Sequence, residues 1–299
     1  MKIKKVMAGM LAMVTVMGSL MSPLSAKADK IDAPYMALGA DLNETEKSTV
    51  LSLLEINEAD LSSYQVITVT NADEHKYLDS YLSKSVIGTR ALSSALVKGK
   101  TDGSGIKVTT YNITYCTTGM YQNALATAGI EDAEIVVAGP YNISGTAALV
   151  GAIKSYENMT GETVSQENVD TATNELVVTG KLAESVGDSD KAEQLVGAVK
   201  EQVVEGSDNG KKLTEEEIGN VVDQAAQEMD VQLSDEDRQE IVDLMDKIKG
   251  LDIDVDSLKE QAKDLYDKID DLGLKLDWNQ EKVQGFFSKI IEFFKNLFS

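Results

Sequence analysis

The sequence predicts an α+β protein in two parts: a ferredoxin-like βαββαβ-type domain over residues 29–160, then an acidic all-helical domain over residues 161–277. In the first part, short β-branched runs alternate with helix-start signals, whereas the second part has helical periodicity and few β-rich runs. The charge is also unequal, at −7 for residues 29–160 and −19 for residues 161–299. Such a shift in composition indicates a domain boundary near residue 160.

The first part begins with a helix over residues 43–54, because Asn43 followed by Glu46 forms a capping-box pattern. The ferredoxin-like order then follows as strand 64–70, helix 71–86, strand 90–97, strand 106–116, helix 118–128, strand 135–138, and a closing helix at 145–158. The Gly-rich stretch 99–105 predicts a β-hairpin between two of these strands, with a bulge at 109–110 where the apolar phase slips. In an alternative interpretation, residues 90–97 end a long helix instead.

The second part contains an internal echo at a spacing of 20 residues. Residues 213–217 (LTEEE) align with residues 233–237 (LSDED), and each copy has a Thr or Ser followed three residues later by an acid. Each copy therefore predicts a capped helix start, and two copies predict a helical hairpin.

The first 28 residues have the layout of a secretory signal peptide. Three lysines, at positions 2, 4 and 5, precede the apolar run 6–20 and the small-residue segment 25–28 (SAKA). The run is shorter than the roughly 20 apolar residues that a membrane-spanning helix needs. We therefore expect cleavage after Ala28 and a secreted or extracytoplasmic protein.

Charge and composition exclude several classes of function. Removal of residues 1–28 takes away four lysines and changes the net charge from −22 to −26, which is unfavourable for nucleic-acid binding. Cys116 is the only cysteine and His75 the only histidine, so an internal disulfide and a multi-histidine metal site are both excluded. The sequence predicts no metal and no cofactor.

Two predicted strand-to-helix junctions form the candidate ligand site. One comprises Thr117, Thr118 and Gly119, and the other Ser144, Gly145 and Thr146. Free N–H groups at a helix start bind carboxylates or phosphates, so the junctions predict a small anionic ligand if their strands are neighbours. The alternative is that Thr118 and Ser144 are ordinary helix caps, which is the default role of such residues.

The same junctions supply the candidate nucleophiles of an enzyme. Cys116 lies just before a helix start, where a thiolate is stabilised, and Ser144 lies at the other junction. The alternative for Cys116 is a small buried residue that closes a strand, because free cysteines are usually buried.

Residues 278–299 predict an amphipathic C-terminal helix. All five phenylalanines of the chain lie in it, and its apolar face includes Phe286, Phe287, Ile290, Phe294 and Phe298. Such a helix binds a membrane surface, fills a groove of a partner protein or docks on its own helical domain.

Three blocks of the first part carry a resemblance to a known family: residues 111–130 (YNITYCTTGMYQNALATAGI), 136–140 (VVAGP) and 144–151 (SGTAALVG). In these blocks the chain resembles the YpuA-like family. Members of that family are predicted secreted proteins of Gram-positive bacteria, and they are classed as a domain of unknown function. The resemblance extends from about residue 35 to about residue 270. It implies a Gram-positive envelope or extracellular setting and supplies no catalytic residues.

Together these patterns predict a non-enzymatic extracellular or cell-envelope-associated binding protein. The alternative is an extracytoplasmic enzyme whose nucleophile, Cys116 or Ser144, lies at a helix N-terminus.

Overall fold

The computed structural model describes residues 34–100, 103–161, 163–208, 212–251 and 253 of the 299-residue chain. Over these residues the protein has the predicted α+β class and contains a five-stranded mixed sheet. The strands are β1 (Tyr35–Gly39), β2 (Gln65–Val69), β3 (Ser94–Gly99), β4 (Ile106–Ile113) and β5 (Ala133–Ile143). The helices are α1 (Glu44–Leu53), α2 (Asn71–Leu78), α3 (Lys84–Ile87), α4 (Thr118–Thr127), α5 (Thr146–Thr160), α6 (Gln166–Val186), α7 (Ser189–Asp208), α8 (Glu215–Glu228) and α9 (Asp235–Ile248), with a 3-10 turn at Glu58–Ser63.

The strand order in the sheet is β2-β1-β3-β5-β4, and the ferredoxin-like arrangement is not confirmed. Strand β1 precedes the predicted βαββαβ order and lies between β2 and β3. The predicted hairpin of β3 and β4 is wrong, because β5 lies between these strands, antiparallel to β3 and parallel to β4. The helix predicted at 71–86 is divided into α2 and α3.

The Gly-rich loop after β3 explains why the hairpin does not form. Instead of turning back directly, the loop passes the start of β5 and wraps the carboxylate of Asp132. That carboxylate accepts backbone hydrogen bonds from Gly103, Ser104 and Gly105 at 3.1, 2.6 and 2.8 Å. Successive N–H groups that converge on one anion form a stable concave turn, and β4 begins directly after this turn, paired with β5 on the side away from β3.

The two faces of the sheet are covered differently. Helix α1 packs on one face, over a small apolar cluster that includes Met36, Leu96 and Ala138 from the strands and Val50 and Leu51 from the helix. On the other face lie α4 and α5, and α6 packs on α4 from behind. The face covered by α4 and α5 therefore borders a large core and is called the deep side. The face covered by α1 borders a small core and is called the thin side.

The deep core is one continuous cluster of apolar side chains that joins the sheet to the later helices. It includes Val137 of β5, Leu125 of α4, Leu176 of α6 and Ile241 of α9, all of them buried. The apolar contacts thus cross the boundary predicted at residue 160, and the division into separately folding domains stays a prediction. The described residues after α5 form the helices α6 to α9.

The internal echo in this helical region is confirmed as a pair of capping boxes. Thr214 caps α8 with Glu217 as its reciprocal partner, and Ser234 caps α9 with Asp237. The two helices contact each other, as the predicted helical hairpin requires. Acidic residues in the first turn of each helix also favour the helix dipole.

Strand β5 carries a large bulge next to its edge partner. The register moves from Tyr111 opposite Ala138 to Ile113 opposite Ile143, so several residues of β5 lie opposite one residue of β4. The bulge predicted at 109–110 of β4 is wrong: the register is continuous there, and the extra residues lie in β5, opposite Asn112. Asn112 adopts a φ of 57° there, and its side-chain amide donates to the Gly139 carbonyl at 3.0 Å.

Candidate functional site

The structure brings the two predicted junctions together. Strands β4 and β5 are parallel, so their carboxyl ends meet at one edge of the sheet. Beyond the strands, the Thr114 N–H donates to the Ile143 carbonyl at 2.8 Å, and the Cys116 N–H donates to the Ser144 carbonyl at 3.0 Å. Helices α4 and α5 then leave on the same face of the sheet, toward the deep core.

At the start of α4, a carboxylate of the protein binds the hydroxyl that caps the helix. The N-cap is Thr117, one residue before the predicted Thr118, and its hydroxyl accepts from the Met120 N–H at 3.2 Å. The same hydroxyl donates to the carboxylate of Glu193, a buried residue of α7. Gly119 is buried in the first turn of α4. An external anion would compete with Glu193 for the positive end of this helix.

At the start of α5, other groups of the protein likewise bind the first polar atoms of the helix. Thr146 donates its hydroxyl hydrogen bond to Oε1 of Glu74 at 2.7 Å, and both side chains are buried. The Ala148 N–H is bound by the Ser93 hydroxyl at 2.9 Å. Ser144 is not the cap of this helix: its Oγ lies 3.3 Å from Oγ1 of Thr146, and Gly145 occupies the N-cap position.

Gly145 marks the tightest point between the two junctions. Its φ is 97°, and a Cβ at this position would lie 2.6 Å from the Tyr121 hydroxyl and 2.7 Å from Ile113. The Tyr121 hydroxyl also donates to the Gly145 carbonyl at 2.6 Å. The space between the junctions is therefore filled by a side chain of α4.

Two acidic groups near the junctions, the carboxyl of Glu74 and the thiol of Cys116, have a raised pKa because they are buried. Burial raises the pKa of Glu74, although the hydrogen bonds from Thr146 and Asn71 oppose the shift. Burial raises the pKa of Cys116 to about 12, against a smaller lowering by its hydrogen bond with Tyr121. The Cys116 side chain is 1% exposed. Because thiol nucleophiles react as thiolates, a buried and protonated thiol is poorly suited to catalysis.

A second polar cluster, which sequence reasoning missed, fixes α4 against α6 and α7. The Lys200 ammonium lies 2.9 Å from Oε1 of Glu175, and both residues are buried. Lys200 also donates to the Asn123 carbonyl at 2.9 Å, and Thr127 donates to the other oxygen of Glu175. The Thr127 hydroxyl oxygen, at 3.3 Å, is the third acceptor near the Lys200 ammonium. A buried ion pair is tolerated when such further hydrogen bonds satisfy its charged groups.

An open groove, also missed, lies on the thin side of the sheet. Its walls are the first half of α1 and the bulge of β5, and its volume is about 530 Å³. Tyr141 on the bulge is 48% exposed. The groove is lined by Asn43, Glu44, Thr45, Glu46, Thr49, Pro140 and Tyr141. The sequence carries a signal for each wall, the capping box of Asn43 and Glu46 and the Gly-Pro pair at 139–140, but neither signal indicates that the two walls face each other.

Several predicted features lie outside the described residues: the signal peptide at 1–28 and the C-terminal segment 278–299 with Phe286, Phe287, Ile290, Phe294 and Phe298. Among the described residues, none of the helices is long and apolar enough to cross a membrane. Over the same part of the chain, His, Cys, Asp and Glu side chains do not gather in threes as a metal ion would need.

Comparison with known proteins identifies the family. Residues 38–265 match the family described as "Protein of unknown function (DUF1002)". The chain is 39% identical over 259 residues to "Uncharacterized protein YpuA" of Bacillus subtilis (strain 168), a match that covers 86% of each chain. No solved structure matches the chain significantly. The match spans the whole sheet beyond β1 and all the described helices, and the chain therefore belongs to the DUF1002 family, as its resemblance to YpuA-like proteins predicted.

Proposed function

We propose that this protein is a secreted, cell-envelope-associated binding protein that acts without catalysis. The observation that carries the proposal is the closure of both junctions by the chain's own groups. Glu193 and Glu74 bind the helix-start hydroxyls, and Tyr121 fills the space between the helices. The Thr117 and Thr146 hydroxyls are therefore engaged by groups of the fold itself, and the Cys116 thiol is buried.

The proposal assigns binding to the surface. A small anionic ligand at residues 117–119 and 144–146 would lie beside the buried carboxylates of Glu193 and Glu74, which disfavour a further negative charge, so that site is the weaker candidate. The amphipathic segment 278–299 is the stronger one for attachment to a membrane surface or a protein partner, because it concentrates all five phenylalanines in a chain that is otherwise acidic.

The signal-peptide layout supports the location. A charged start, an apolar run and a small-residue end direct export, and residues 1–28 have all three. We expect the exported protein to begin at Asp29, which N-terminal sequencing of the secreted form tests directly. A secreted form that still begins at Met1 would contradict the cleavage.

Fractionation tests the attachment. Full-length protein and a form ending at Asp277 are expressed in the native host and separated into membrane, wall and medium. We expect the full-length form in the membrane or wall fraction and the shortened form in the medium. Phe294→Asp, on the predicted apolar face, should also release the protein. Glu292→Gln should not, because the helical pattern places Glu292 on the opposite, polar face of the segment. Equal distribution of all four forms would overturn the proposal.

The alternative function is an extracytoplasmic enzyme with Cys116 or Ser144 as nucleophile. Its supporting observation is the meeting of the two junctions at the carboxyl ends of parallel strands, where ligands commonly bind in open sheets. Loss of the protein's cellular phenotype in Cys116→Ala or Ser144→Ala, with unchanged stability, would favour the enzyme over the binding protein.

A further inference from the structure

The bulge of β5 is the one register shift between paired strands among the described residues, and it borders the groove on the thin side of the sheet. Its geometry is held from both sides: the Asn112 amide binds the Gly139 carbonyl, and a Cβ on Gly139 would lie 2.7 Å from Ile143 and 2.8 Å from the Tyr141 carbonyl. Bulges that re-aim a side chain are typical of the neighbourhood of functional sites. Here the side chain that is turned outward is Tyr141.

The opposite wall of the groove is equally well fixed. Asn43 and Glu46 form the capping box of α1. The Arg90 guanidinium binds both carboxylate oxygens of Glu46, at 3.1 and 2.7 Å, and also the Asp41 carbonyl at 2.7 Å. The groove is therefore a preformed surface, and binding to it requires little ordering of the protein.

The charge of the groove favours a positively charged occupant. Glu44 and Glu46 line it, and the Arg90 guanidinium balances the charge of Glu46, which leaves the negative charge of Glu44 in the groove. Tyr141 adds an exposed aromatic ring, whose face attracts cations. The chain as a whole carries a charge of −22, which steers cationic partners toward the protein and repels anionic ones.

We propose that this groove binds a basic protein segment, with a Lys or Arg side chain on the ring of Tyr141 beside the Glu44 carboxylate. The groove volume of about 530 Å³ holds one such side chain and part of its neighbours. Tyrosine is over-represented among the residues that contribute most to protein–protein affinity. This inference rests on the proposed binding function and names the class of partner.

The test uses full-length protein and an eight-residue peptide of alternating lysine and alanine, titrated calorimetrically at about 150 mM salt, where charges beyond about 8 Å are largely screened. Tyr141→Ala should weaken binding about threefold to fivefold. Tyr111→Ala is the matched control, because Tyr111 is 40% exposed, lies on the neighbouring strand and is not part of the groove lining. It should leave the affinity unchanged.

A second pair of variants tests how much the negative charge of Glu44 contributes to peptide binding. Glu44→Gln should weaken binding by a similar factor, whereas Glu216→Gln, an exposed acid in the first turn of α8, should not. The proposal is overturned if the peptide does not bind, if all four variants bind it equally, or if a neutral oligosaccharide binds in its place with the same dependence on Tyr141. None of these outcomes bears on attachment through residues 278–299, which the fractionation experiment tests separately.

Discussion

The two sides of the sheet use polar residues in opposite ways. On the deep side, Glu74, Glu175, Glu193 and Lys200 are buried, and each is bound by a group on another helix. On the thin side, Glu44 and Tyr141 line an open groove. Polar groups inside a core cost free energy unless they are paired, so those of the deep side are best explained as structural. Those of the thin side are available to a partner.

The largest expected effect is the loss of one member of the buried ion pair. Lys200→Met leaves the Glu175 carboxylate buried without its ammonium partner, so the free energy of unfolding should fall by about 3–5 kcal/mol. Urea denaturation monitored by circular dichroism measures this change.

The exposed pair Lys181–Glu240 on α6 and α9 supplies the control. Lys181→Met should cost no more than about 1 kcal/mol, because an exposed ion pair contributes little. Similar losses in Lys181→Met and Lys200→Met would mean that burial does not set the value of these pairs, and the structural role assigned to the buried polar groups would fail.

The next effect comes from the closure between the junctions. Gly145→Ala places a methyl group against Tyr121 at a positive φ, and the two penalties together should cost about 2–4 kcal/mol. Gly187→Ala isolates the backbone penalty, because Gly187 has a φ of 75° and nothing within 4 Å of its Cβ position. We expect Gly187→Ala to cost about 1 kcal/mol. If both substitutions cost the same in thermal unfolding, the junctions are looser than described.

A smaller effect is expected at the loop that replaces the hairpin. Asp132→Ala removes the acceptor for three backbone N–H groups that water then partly solvates, at a cost of about 1–2 kcal/mol. Hydrogen exchange of the amides of Ser104 and Gly105 should also become faster. Unchanged exchange at these amides in the variant would show that the carboxylate does not hold the loop.

The smallest effect is a dependence on pH. Burial raises the pKa of Glu74 in the folded protein above its ordinary value of 4.5. The folded state therefore binds the proton more tightly than the unfolded state, and this contribution to stability is complete below about pH 4.5 and is lost as pH rises through the folded pKa. Relative to Glu74→Gln, the wild type should be more stable at pH 4 than at pH 7 in urea denaturation. The opposite trend would place Glu74 in a polar, solvated setting.

Local signals in the sequence predicted much of the fold. The capping boxes of α1, α8 and α9 and the β-branched run of β2 lie where residue patterns place them, because caps and strand propensity depend on neighbouring residues. Strand β1 (YMALG) was missed because its alanine, leucine and methionine have no strong β preference and its stability comes from both neighbouring strands.

Long-range pairing was not predictable in the same way. The Gly-rich stretch at 99–105 has the composition of a hairpin turn, but in the fold it binds the carboxylate of Asp132, almost 30 residues later, and leads to the far side of β5. The polar cluster around α4 likewise joins residues 48 to 77 positions apart. The two junctions lie side by side because their strands are neighbours, and the ligand site there stays a prediction. The carboxylates that bind the junction hydroxyls come from helices whose packing no local pattern encodes.

The most direct test of the claim that the junctions are closed interior structure is alkylation of Cys116, the only cysteine in the chain. The rate of modification of full-length protein by iodoacetamide is measured at pH 8 with and without denaturant, by mass spectrometry. We predict that native protein reacts at least about 100-fold more slowly than denatured protein, because the thiol is buried and its pKa is about 12. Rapid, stoichiometric modification of the native protein would contradict this account and restore the junctions as an accessible site.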